Sequence, residues 1–115
     1  MKPVWSRLDS LPERDMLKGV HLRILPGEKL MFNIVRLEPH AAVPTHQHPH
    51  EQLSYIVDGE MELWINEERR IVRRGDLAVI PSDVPHGAQT HETTCLVLDA
   101  FHPLREEYIK LFRES

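Results

Sequence analysis

Short runs of strand-forming residues follow one another along the middle of this chain, and no helical pattern lies between them. That order excludes a doubly wound α/β fold, in which helical crossovers must separate parallel strands. Val20, Leu22 and Ile24 alternate with His21, Arg23 and Leu25 before a Pro-Gly-Glu-Lys turn. A second run, 30–38, stops at Pro39. Residues 52–57 reach Asp58-Gly59, which reads as a hairpin, and 60–65 form the return. Asn66-Glu67-Glu68 turns into 69–72, Gly75-Asp76 leads into 77–80, and strands near 87–90 and 93–100 complete the set. Only 104–112 carries a helical stripe, through Leu104, Tyr108, Leu111 and Phe112. Strands at this spacing predict an all-β antiparallel sandwich or barrel with a C-terminal helix.

The 115 residues suffice for one domain. The expected layout is an N-terminal arm or edge strand over 1–18, a barrel over 19–101 and a helical segment over 102–115. A formal charge of −4 gives no reason to expect nucleic acid or an anionic membrane as a partner. No apolar run has the length of a membrane span or signal peptide, so a cytoplasmic address is expected. The single cysteine, Cys95, excludes an internal disulfide and reads as a buried inert thiol. Arg69, Arg70, Arg73 and Arg74 are flanked by acids and read as a solvated hairpin.

Eight histidines are present, and His40, His46, His48 and His50 fall within eleven residues. On an extended backbone His46 and His48 point to one face, and Gln52 shares their parity. His86 opens a later strand. Three neutral imidazoles and one side-chain oxygen would hold a divalent first-row metal with coordination positions left open. The same pair also fits a polar loop with solvated histidines, and spacing alone does not separate the two. His50 reads as solvated or as a support to the other histidines. His21, His40, His91 and His102 read as surface or hydrogen-bonded groups.

The stretch from Pro44 through His46, His48 and Gln52 to Gly59 resembles the first motif of the cupin family. Gly75-Asp76, Pro81 and His86 resemble the second. The resemblance implies a small single-domain, RmlC-like cupin, a jelly-roll double-stranded β-helix, with His46, His48, Gln52 and His86 on one divalent transition metal (nickel, manganese, iron, zinc or cobalt). The family usually has Glu where Gln52 stands, Gly at Asp83 and Asn at Thr90. A neutral amide leaves the full charge of the ion in the site, which lowers metal affinity and favours an anionic ligand. Asp tolerates the backbone that Gly would adopt at position 83. Thr90, beyond the ligands, is expected to matter little.

At the end of the last strand Asp99 and Phe101 share a face, and Arg105 follows Pro103. An Arg fork suits a carboxylate and a buried Asp suits proton transfer. Equally, Asp99 could cap the turn while Arg105 pairs with Glu106, Asp99 or a surface acid. The spacing Asp-x-Phe-x-Pro-x-Arg looks like that of the pectin-degradation cupins of the KdgF type. These linearise 4,5-unsaturated monouronates, left by pectate and alginate lyases, to a keto-acid. The resemblance implies that Arg105 clamps the uronate carboxylate, Asp99 moves a proton and Phe101 packs on the ring. It also implies a homodimer, with the N-terminal segment as a swapped or added edge strand. A metal-dependent dioxygenase or other small-acid cupin enzyme, and a non-catalytic sugar or small-acid binding module, stay open as alternatives.

Overall fold

A computed structural model describes residues 1–114. Beyond a single 3-10 turn at Leu8–Ser10 the described residues form nine strands and one helix. They are β1 (Arg14–Leu17), β2 (Val20–Pro26), β3 (Met31–Leu37), β4 (Ala42–His46), β5 (Glu51–Ile65), β6 (Glu68–Arg73), β7 (Leu77–Ile80), β8 (His86–Gln89), β9 (Cys95–His102) and α1 (Glu106–Arg113). Every pairing is antiparallel, and the strands curl into the all-β barrel expected from the sequence. One sheet runs β1-β2-β3-β9-β5, with β7 on the far side of β5, and the other joins β4, β8, β5 and β6.

The expected hairpin at Asp58-Gly59 is not there. β5 is one continuous strand, and its register against β9 slips between Ile56 and Asp58. Residues 51–59 pair with β7 and β9, whereas 60–65 pair with β6 and β8. The Asp-Gly signal is therefore a bulge that bends the strand from one sheet into the other. Gly59 takes φ +77°, and a Cβ on it would sit 1.9 Å from the Thr94 carbonyl oxygen. Glycine is required both by the left-handed backbone and by that close approach.

The barrel interior changes character along its axis. Val35, Val97 and Ile56 stand opposite one another on β3, β9 and β5 and form an apolar layer. The next inward row is Asn33, Asp99 and Ser54, and the one beyond it is Met31, Phe101, Gln52 and Ile80. All seven are buried. One end of the barrel is thus polar inside, and the site is built there.

The N-terminal strand β1 pairs with β2 of the same chain. Cys95 is fully buried, and burial pushes its thiol up to about 11. Arg69, Arg70 and Arg73 meet Glu62, Glu68 and Glu60 on the β5–β6 hairpin. Thr90 lies away from the cavity but is not idle. Its hydroxyl, wholly buried, accepts from the Ala41 N–H and donates to the Glu38 carbonyl, tying the start of β4 to the end of β8. Among the described residues no helix is long and apolar enough to cross a membrane.

Candidate metal centre and its cavity

His46 ends β4 and pairs directly with His86 at the start of β8, with ring centroids 4.3 Å apart. His48 lies two residues on, 5.7 Å from His46 and 4.9 Å from His86 by ring centroid. One ligating nitrogen from each lies within 4.8 Å of the other two. Gln52, facing inward on β5, places Oε1 3.2 Å from His48 Nε2. The loop between β7 and β8 braces this arrangement, for the Asp83 N–H donates to the His48 carbonyl at 2.8 Å. Asp83 does so at φ +62°, the left-handed conformation expected of it.

Each imidazole is oriented by a backbone carbonyl two residues away. Nδ1–H of His46 donates to Pro44 at 2.9 Å, that of His48 to His50 at 3.1 Å and that of His86 to Val84 at 2.9 Å. A carbonyl can only accept, so each Nδ1 carries a proton, and a neutral ring then keeps its lone pair on Nε2. His50 thus contributes its carbonyl to the cluster. His86 Nε2 is buried without a partner.

His48 carries the test of what belongs there. Burial, with Arg105 and His86 nearby, pushes its imidazolium down to about 4, so the ring is neutral and has one N–H. Yet both nitrogens face carbonyl oxygens, those of His50 and Gln52. One proton satisfies only one of them. A cation between Nε2 of His48 and Oε1 of Gln52 satisfies the second and also the orphaned His86 nitrogen. The residues fit a divalent metal ion.

A cavity of about 70 Å³ opens beside the cluster, lined by His46, Gln52, His86, Asp99, Phe101 and Arg105 among others. Asp99 caps no turn. It sits within β9, where burial pushes its carboxyl up to about 6 against hydrogen bonds from Ser54 and Gln52 and the charge of Arg105. Arg105, 8 % exposed, precedes α1. Its Nε donates to Oε1 of the half-exposed Glu107 at 2.6 Å, so of the partners open from the sequence it takes a surface acid, not Glu106 or Asp99. Its guanidinium carbon lies 5.0 Å from the Phe101 ring centroid and 4.3 Å from that of Tyr108. Phe101 in turn packs 5.6 Å from His48.

A sequence model described as the cupin domain matches residues 33–101 of this chain. The chain belongs to the cupin family. Pectin degradation protein KdgF of Dickeya dadantii (strain 3937) is 27% identical over 103 residues, which cover 88% of this chain and 94% of that protein. The solved structure of KdgF from Halomonas sp. superimposes with a TM-score of 0.87 at 29% identity, over 93% of this chain and 99% of that one. An RmlC-like cupin from Shewanella frigidimarina NCIMB 400 gives a TM-score of 0.87 at 27% identity, covering 93% and 96%.

Asn33, Ser54, Tyr108 and Met16 also line the cavity of this cupin, and the sequence reading placed none of them at the site. Two of them had a readable signal. Asn33 lies at the inward parity of β3, between Met31 and Val35, and Ser54 shares inward parity with Gln52. A polar residue at an inward position of a barrel strand marks either a hydrogen-bond network or a site. Tyr108, three residues after Arg105, read as a core position of the helix. Nothing in the sequence marks Met16.

Proposed function

We propose that this cupin holds one divalent transition metal on His46, His48, Gln52 and His86 and opens the ring of 4,5-unsaturated monouronates to a linear keto-acid. One observation carries the reading. A buried carboxyl and a buried guanidinium, Asp99 and Arg105, share a cavity wall with a ligand set that has no carboxylate of its own. Such a wall suits an acidic ligand, and the similarity to two KdgF proteins directs the choice to uronates.

Nickel, manganese, iron, zinc and cobalt all accept imidazole and oxygen donors. Such an ion, when bound, acts as a Lewis acid that polarises sugar oxygens. The chain's own residues supply the rest. With Nε committed to Glu107, Arg105 offers its remaining N–H donors to the uronate carboxylate. Phe101 forms an apolar floor for the ring. The reaction is an isomerisation. The anomeric hydroxyl loses its proton, the bond from that carbon to the ring oxygen breaks to leave an aldehyde, and the enol so formed takes a proton at carbon to become a ketone. Asp99, with its carboxyl near 6, both accepts and returns a proton around neutral pH.

The reading includes a homodimer. Phe32, Leu53, Tyr55, Leu77 and Val79 form a continuous exposed apolar face on the outside of the first sheet, and Trp5 on the N-terminal arm is 94 % exposed. A second copy would cover both features reciprocally in a two-fold pair.

The test is incubation of the metal-loaded protein with unsaturated galacturonate and, separately, unsaturated guluronate, following loss of the ring form under anaerobic conditions. Conversion above the spontaneous rate, lost in Asp99→Asn, is expected. Spontaneous rates with both sugars would overturn the reading; binding without conversion would instead favour a binding module, and a requirement for oxygen a dioxygenase.

A further inference from the structure

A carboxylate ligand presents oxygen to a metal whichever way it turns. An amide has one ligating end and one end that a cation repels, so something must select between them. In this cupin Gln52 Nε2 donates to Ser54 Oγ at 3.1 Å, which leaves Oε1 toward the histidines. Ser54 has a single hydroxyl proton, and it goes to Asp99 Oδ1 at 2.6 Å. Its oxygen is then free to accept from the amide and has no further proton to give. Gln52, Ser54 and Asp99 are all buried, so bulk water does not compete for these groups.

We propose that Ser54 is a positioning residue that locks the Gln52 amide with Oε1 toward the histidine cluster and ties it to Asp99, so that ligand and acid are set together. The proposal rests on the reading of Gln52 as a metal ligand. It also accounts for an amide at this position. A glutamate would bring a second carboxylate against Asp99, with the Ser54 proton as the only hydrogen between them.

The experiment titrates nickel(II) alone into the full chain and its variants, reading affinity by competition with a chelator. Ser54→Ala should weaken nickel binding about 10- to 100-fold, the usual effect of removing a group that orients a metal ligand. Ser54→Thr keeps the hydroxyl and should bind within about a few fold of the unaltered chain. A second measurement follows the side-chain amide protons of Gln52 in glutamine-labelled protein by NMR. They should exchange slowly in the unaltered chain and quickly in Ser54→Ala. Unchanged nickel affinity in Ser54→Ala, or fast exchange of the Gln52 amide in the unaltered chain, would overturn the proposal. Failure of the unaltered chain to bind nickel would remove the ligand reading itself, a result distinct from tight binding that ignores Ser54.

Discussion

At the scale of single residues the site turns on hydrogen counting. His48 is neutral, faces two carbonyl oxygens and has one proton, so a cation in the second place would satisfy it. His48→Ala should reduce bound metal from about one equivalent to traces, as elemental analysis of the purified protein would show. Arg105→Ala should weaken an unsaturated uronate by about 2–5 kcal/mol by calorimetric titration, since the lost partner is a buried charge. Arg105→Lys should recover only part of that, because an ammonium cannot stack between Phe101 and Tyr108 or bind bidentately. Spacing alone left these residues open between a site and solvated or surface-paired groups, and the resemblance to the cupin motifs singled them out. The fold brings His46, His48 and His86 together, and Gln52 and Arg105 to the adjoining cavity. Ser54 could be read only as a polar residue at an inward parity; its role could not, because its partner Asp99 lies 45 positions away.

Among the elements, the strand β5 shows both the reach and the limit of local signals. Alternation in 52–57 and 60–65 correctly marks two strand segments, and Asp-Gly correctly marks a left-handed residue. Whether such a residue reverses the chain or bends it depends on the partner across the sheet, here Cys95 on β9. That partner is remote in sequence, so the hairpin and the bulge look alike until the fold is known. Gly59→Ala should destabilise the protein by about 3 kcal/mol or more, measured by urea unfolding, since a methyl group meets the Thr94 carbonyl in an already disfavoured backbone. Asp83 is the opposite case. Its left-handed backbone was readable from the glycine the family usually has there, and Asp is among the few other residues that adopt it.

For the molecule as a whole, β1, β2 and the end of β3 are clipped together by His21, which bridges Asp15 at 2.7 Å and Glu38. The bond to Glu38 raises the His21 pKa above its usual value, burial opposes this, the bond to Asp15 adds to it, and Arg36 lowers it. A histidine whose pKa is raised on folding stabilises fully below its unfolded pKa of about 6.5, and that contribution is lost as pH rises through the folded value. The difference in urea midpoint between the unaltered chain and His21→Gln should therefore shrink as pH rises from 6 to 9. Sedimentation should find two copies together, and Leu77→Asp, at a position 77 % exposed in one chain, should leave a folded single copy.

The passage of β5 through both sheets has a consequence for how the barrel comes apart. Its first nine residues belong to one layer and its last six to the other, and four strands hang on it. Neither layer can peel away while its neighbour persists, so partial denaturation has no obvious resting place. Deuterium uptake along β5 should then report complete opening of the molecule, with its amides the last to be replaced.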